Sequence, residues 1–404
     1  MHRASPELVG LRHTVVCHSK ETYCGHPRQS GIFYYGNGEI AALHSHAECK
    51  YRHKLDTGHS FNRGYASRAT VLLQRSTDFG ETWPAENNVS VWDESRPLEV
   101  KRAIVSQADL GLPRERINLS SPDAAVYFTR TATGADEPDG GHALECFAFR
   151  SADRGRTWEK VPTRVRALDK IPRLGHTGGP IAIHRDGHPL VKCPDGSLLG
   201  AMSVYGSTSV APCVALYGSD DNGLSWEYLA KVAEDTTGQG RPTYCGLVLL
   251  TSGRLQCYML QIGGIRHAIQ MNYSDDGGYS WSVPKPIVVW GSSPWRAPDS
   301  PSAGAKGVFY RSPWPMRLND GRIAVIFARR KPPCGIGVVV SEDEGYTWSG
   351  EAVIRNDSAG ADVGYPIAVQ FEDGRIFTAY YITANDGNGM GGTRYIGGSF
   401  FKIE

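Results

Sequence analysis

SDDGGYSW, residues Ser274 to Trp281, is one of five near-copies of a single octapeptide in this chain of 404 residues. The others are STDFGETW (Ser76 to Trp83), SADRGRTW (Ser151 to Trp158), SDDNGLSW (Ser219 to Trp226) and SEDEGYTW (Ser341 to Trp348), and every copy keeps S-x-D-x-G-x-[ST]-W. Their starts are separated by 75, 68, 55 and 67 residues. Such periods exceed those of most short repeats, so each copy belongs to a supersecondary unit large enough for about four strands, the size of a propeller blade.

The octapeptide carries its own turn chemistry. An Asp followed two residues later by Gly signals a tight turn, because the Asp side chain bonds backbone amides ahead of it and Gly accepts positive φ. Apolar, β-prone segments such as Val71-Leu72-Leu73 and Val338-Val339-Val340 precede it, and a Trp closes it. The pattern predicts a strand, a pinned hairpin turn and a Trp packed between neighbouring units. Asp78, Asp153, Asp221, Asp276 and Asp343 are therefore read as scaffold.

A second repeat counts the units independently. Turns of the type x-[NDS]-G-x-[ILV] occur at Asn37-Gly38, Asp195-Gly196, Ser252-Gly253, Asp320-Gly321 and Asp373-Gly374, each between strand-like segments. Alternating with the octapeptides, and with a less regular unit near Asp123 to Phe149, they give six blades, with seven the alternative. The run Thr14-Val15-Val16-Cys17 can close the last blade and remove an open edge. The expectation is all-β: a single propeller domain over 1–404, since blades are not independent folding units and no linker interrupts the pattern. Trp92 to Ser121 and Thr131 to His142 read as elaborated loops, the first with a short helix.

The formal net charge of +1 comes from 43 Lys and Arg against 42 Asp and Glu, and no long basic stripe gathers them. This argues against a nucleic-acid partner. No apolar run reaches the roughly 20 residues that span a bilayer, and the first residues, MHRASPELVGLRHTVV, lack a signal-peptide core. The expected location is cytoplasmic, or unknown where a leader has been trimmed. Nine cysteines without a C-x-x-C pair suggest reduced buried thiols, with neither cofactor nor metal.

S-x-D-x-G-x-T-W resembles the Asp-box of the sialidase superfamily, and the resemblance extends over almost the whole chain. It implies a propeller, six-bladed in sialidases, and an enzyme acting on carbohydrate. Sialidases hold a substrate carboxylate with an arginine cluster, attack with a Tyr activated by Glu, and use an Asp as acid/base. Bidentate Arg forks suit a planar carboxylate, and a neutral Tyr avoids the repulsion that a carboxylate nucleophile would meet at an anionic sugar.

In a propeller the inner strands surround the axis, and their starting ends form a funnel. The segments before the first hairpins read GHPRQSG (Gly25 to Gly31), SSPDAA (Ser120 to Ala125), GHPLVK (Gly187 to Lys192), GRPTYCG (Gly240 to Gly246), YRSPWPMR (Tyr310 to Arg317) and DVGYPIA (Asp362 to Ala368). By resemblance, Tyr365 is the nucleophile, Asp56 the acid/base, and Arg28 with Arg266 or Arg330 the carboxylate site. Arg28 stands ten residues before Gly38, the family register, though Gln29-Ser30 depart from its R-I-P motif. Where the resemblance requires Asn-Glu, this chain has Thr243, Tyr244 and Cys245, so Tyr244 is assigned to substrate binding and the activating Glu is missing.

That departure admits other chemistry. His26, His44, His46, His53 and His59 crowd the first blade, and His188 repeats the Gly-His-Pro context of His26. His26 and His46 could serve as base and acid on a uronate-containing glycan, with His188 as a further substrate contact. His44, His46 and Glu48 share one strand face, read as a polar channel lining rather than a metal site. Three functions follow: an exo-acting sialidase-like glycosidase on a terminal acidic sugar; a lyase or His-dependent glycosidase on uronate-containing glycans; or a non-catalytic glycan-binding propeller. The expected partner is an acidic glycan, without membrane association.

Overall fold

The computed structural model describes residues 4–27, 31–136, 141–165, 182–184, 190–205, 211–234, 240–263, 268–289 and 310–404. Six antiparallel sheets form a six-bladed β-propeller. Blades four to six each run from one inner strand outward, as in the fifth: Tyr310–Arg317, Ile323–Arg329, Cys334–Ser341 and Ala352–Ser358; in the third, Ala182–His184 and Val191–Lys192 share the inner position. In the first blade the inner position is shared by Thr22–Gly25 and Ile32–Tyr34. The second has three strands among the described residues, Ala125–Asp136, His142–Ser151 and Thr163–Val165, and the helix Leu98–Ser106 lies in the segment before it.

The sixth blade, Gly364–Gln370, Ile376–Thr383 and Arg394–Ile403, is completed by the N-terminal strand Leu8–Cys17, which pairs antiparallel with Arg394–Ile403. The expected closing strand is thus present, and it leaves the ring of blades without an open edge between the chain's ends. Among the described residues no helix is long and apolar enough to cross a membrane. All nine cysteines are free and seven are buried.

The five octapeptides fold alike. In each, the Ser hydroxyl accepts the Gly amide, at 2.8 Å from Gly80 to Ser76 and 2.8 Å from Gly345 to Ser341. The Asp accepts both the amide and the hydroxyl of the following Ser or Thr, as Asp276 does from Ser280 at 2.9 and 2.5 Å. Phe79, Arg154, Asn222 and Glu344, just before the Gly, are left-handed. Four of the five Trp indoles donate to their own Gly carbonyl; Trp226 does not, and its buried Nε1 has no partner among the described residues. Three rings pack onto the preceding blade: Trp83 on Phe377, Trp226 on Phe128 and Trp348 on Tyr258, with centroids 5.6, 4.9 and 5.8 Å apart.

The second repeat forms the hairpins between first and second strands. Gly38, Gly196, Gly253, Gly321 and Gly374 have φ of 81, 89, 85, 93 and 84°, which only glycine adopts without cost. Because antiparallel strands alternate, these hairpins and the octapeptide turns share one end of the ring; Phe79 N donates to Gly38 O at 2.9 Å across them. The inner strands begin at the other end, where the polar segments lie.

Candidate active site

In blades four, five and six the inner strand carries one extra residue at the same place. The pairing shifts between Thr243 and Gly246, between Arg311 and Trp314, and between Gly364 and Ile367. Each bulge contains a left-handed non-glycine residue: Tyr244 (φ 53°), Ser312 (φ 47°) and Tyr365 (φ 55°). His26, which follows the first inner segment, has φ 56°. A left-handed non-glycine residue is uncommon and costs about 1–3 kcal/mol. Bulges re-aim side chains beside active sites, and here they turn His26, Tyr244 and Tyr365 toward one cavity.

That cavity has a volume of about 120 Å³ and is lined by side chains including His26, His59, Tyr65, Arg130, Tyr244, Arg311 and Tyr365. The hydroxyls of Tyr244 and Tyr365 hydrogen-bond at 2.8 Å, and Arg311 donates to Tyr244 at 3.3 Å. The His26 ring meets the Tyr365 ring edge-on at 4.5 Å and the His59 ring at 4.5 Å, while its Nδ1 bonds Tyr65. Arg130 lies over the Phe61 ring at 4.6 Å. No carboxylate is among the described lining residues.

Behind this wall sits Asp362. Tyr381 and Tyr23 donate to its carboxylate at 2.7 and 3.1 Å, Arg394 donates at 3.0 Å, and His59 Nε2 is 3.5 Å away. The Tyr23 hydroxyl also lies 2.9 Å from His59 Nε2. Since Tyr23 donates its proton to Asp362, its oxygen is left to accept from His59 Nε2–H. Burial alone would raise the Asp362 carboxyl; His59, Arg394 and Arg330 outweigh it and hold the group well below the usual carboxylate range. Burial, then the charge of His59, keeps His26 well below the usual histidine value. Burial and the neighbouring Tyr244 keep Tyr365 well above the usual tyrosine value. Near neutrality the cavity therefore holds a neutral imidazole beside a protonated phenol.

A larger cavity of about 290 Å³ lies at the opposite end, lined by residues including Arg114, Arg164 and Trp226. Its two guanidiniums are already paired, Arg114 with Glu159 and Arg164 with Asp109 and Glu145. No histidine is among its described lining residues.

Of the residues expected from sequence, His26, Tyr244 and Tyr365 come together. Arg330 lies behind them, donating to the Val363 carbonyl at 3.0 Å and to Tyr381 at 2.8 Å. Asp56 sits in the short helix Lys54–Thr57, where it accepts the amides of Arg52 and His53 at 2.9 and 3.2 Å. Those amides, with Arg52 first, outweigh its partial burial and hold its carboxyl below the usual range; it caps a turn and does not line the cavity. His46 does not join His26: Ser45 lines the cavity, and strand alternation turns His46 the other way, toward Cys17 and Cys24. The His44, His46 and Glu48 face is not a shared channel lining either, because His44 is bonded to Gln74 at 2.9 Å and Glu48 is exposed. Arg28, His188 and Arg266 lie outside the described residues.

Arg130, His59, Tyr65 and Asp362 carry no motif that marks them. Arg311 does have a signal: it stands ten residues before Gly321, the register used for Arg28 before Gly38. Likewise Tyr244, Ser312 and Tyr365 each stand nine residues before a hairpin glycine, Gly253, Gly321 and Gly374.

Residues 135–378 match the BNR repeat-like domain family. No curated protein matches the chain. Among solved structures it is similar to a protein of unknown function from Dyadobacter fermentans DSM 18053, with 19% identity and a TM-score of 0.71, over 98% of this chain and 100% of that one. It is similar to the intramolecular trans-sialidase from Ruminococcus gnavus, with 13% identity and a TM-score of 0.55, over 92% of this chain and 94% of that one. It is also similar to the NanB sialidase from Streptococcus pneumoniae, with 11% identity and a TM-score of 0.55, over 100% of this chain and 71% of that one. At these identities the likeness is one of fold.

Proposed function

The chain belongs to the BNR repeat-like domain family, and we propose that it is a carbohydrate-active enzyme that cleaves glycans at an acidic sugar. One observation carries the reading: two guanidiniums, two imidazoles and a tyrosine pair surround a cavity whose described lining contains no carboxylate. Arg311 and Arg130 suit a substrate carboxylate, with which a cavity carboxylate would clash.

The groups favour elimination. Arg311 and Arg130 neutralise the carboxylate and acidify the proton on the adjacent carbon. His59, its Nε2–H engaged by Tyr23, takes that proton on Nδ1, and Asp362 stabilises the resulting imidazolium. Tyr365, kept protonated, gives its proton to the departing glycosidic oxygen and regains one through Tyr244. His26 presses edge-on against the Tyr365 ring and orients it. The tyrosine pair favours a second reading, in which Tyr365 attacks the anomeric carbon and Tyr244, at 2.8 Å, relays its proton; the product would then be hydrolytic.

The test is a panel of sialosides, uronate-containing oligosaccharides and neutral glycans, read by product mass and ultraviolet absorbance. Elimination leaves the summed mass unchanged and creates an absorbing double bond, whereas hydrolysis adds one water. Tyr365→Phe is expected to lower turnover by about 10²–10⁴-fold. Cleavage confined to neutral glycans, or full turnover by Tyr365→Phe, would overturn the proposal.

A further inference from the structure

Away from the cavity, two cysteines and a histidine converge where the propeller closes. Cys17 ends the closing strand of the sixth blade, and Cys24 lies on the inner segment of the first. His46 pairs directly with Cys24 across the first blade's strands, so the two side chains share a face. The Cys17 and Cys24 sulfurs are 3.4 Å apart, and one ligand atom from each of the three residues lies within 4.8 Å of the others.

These separations suit a metal better than a bond. A disulfide brings sulfurs to about 2.05 Å. Two thiolates on a tetrahedral zinc, each at about 2.3 Å, stand roughly 3.7 Å apart. Thiolate and imidazole donors select thiophilic ions. Cys24 is fully buried while Cys17 and His46 are half-buried, so the fourth position can be filled from solvent. The Thr22 hydroxyl, 3.6 Å from the Cys24 sulfur, can donate to a bound thiolate. His44, bonded to Gln74 and the Ser45 carbonyl, also neighbours the Cys17 sulfur and stands beside the group as an outer partner rather than as a ligand.

We propose that Cys17, Cys24 and His46 bind one zinc ion that fastens the N-terminal closing strand of the sixth blade to the first blade. The two thiols lose their protons on binding, and the ion joins the strands at which the ring is shut. The site is independent of the proposed reaction, because none of its ligands lines the cavity.

The full chain, reduced and stripped with a chelator, is titrated with Zn²⁺ and separately with Co²⁺. The expected result is one ion per chain, a Co²⁺ spectrum with thiolate charge-transfer bands, and a Tm that rises on adding Zn²⁺. Replacing buried Cys24 risks the fold itself, so Cys17→Ser and His46→Gln carry the test. Cys17→Ser should halve the charge-transfer intensity and abolish the rise in Tm, and His46→Gln should weaken binding with both thiolates retained. Wild-type binding by Cys17→Ser, an absence of charge-transfer bands while both thiols react with a thiol reagent, or a Cys17–Cys24 disulfide formed in the presence of Zn²⁺ would each overturn it.

Discussion

Asp362→Asn preserves the shape of one side chain and removes its charge. The carboxylate accepts from Tyr381, Tyr23 and Arg394 at 2.7, 3.1 and 3.0 Å. An amide keeps one accepting oxygen and turns an NH₂ group toward another donor. Removing one partner of a buried ion pair costs about 3–5 kcal/mol. Arg394 also donates to the carbonyls of Met390 and Gly392 at 2.6 and 2.7 Å, so the lower end, about 3 kcal/mol, applies. Unfolding entropy of roughly 2.1 cal/mol/K per residue gives about 0.8 kcal/mol/K for this chain, and hence a fall in Tm of roughly 4 °C. Scanning calorimetry near pH 7 measures it. The folded carboxyl titrates below its unfolded value, so its stabilisation is complete above the ordinary carboxylate range and is lost only as pH falls through the depressed pKa. The gap between wild type and variant should therefore persist at about pH 5. A Tm within about 1 °C of wild type at neutral pH, or a gap already closed at about pH 5, would refute the reasoning.

Arg311→Ala should raise KM for an acidic glycan by roughly 10- to 100-fold, the worth of a charged hydrogen bond, and leave a carboxyl-reduced analogue unaffected; steady-state kinetics on both compounds decides. Ser312→Gly should raise Tm by about 1 °C, because it removes a left-handed β-carbon (φ 47°) and a buried hydroxyl without a partner among the described residues; a lower Tm would show that the hydroxyl is needed. Folded His26 resists protonation, so the unfolded chain binds more protons below about pH 6.5 and stability falls as pH drops through that range. His26→Gln should flatten that part of the Tm–pH curve.

The frame was legible because it is written in short-range chemistry. The Asp-Gly turns of Asp276 and Gly278 or the hairpin of Asp320 and Gly321 depend on residues within one octapeptide or one turn, and repetition multiplies the signal. The cavity was legible only where a strand start carries an unusual side chain, as at His26, Tyr244 and Tyr365. Arg130 reaches the cavity from a second-blade strand with no repeat to index it. His59 and Asp362 are 303 positions apart in sequence and meet only because the ring closes. Asp56 and His46 lie away from the cavity for local reasons: the amides of Arg52 and His53 capture the first, and strand alternation turns the second to the face of Cys24.

The closing strand also sets a timetable. His13 hydrogen-bonds Ser399 across 386 positions, so this strand is made long before its partner. Until then its backbone is an unpaired edge, and the sixth blade lacks its outermost strand. Loop closure over so great a span makes ring sealing a late and slow event. A strand that waits so long for its partner is an adhesive edge in the meantime, and its exchange between two copies is the accident to which this topology is open.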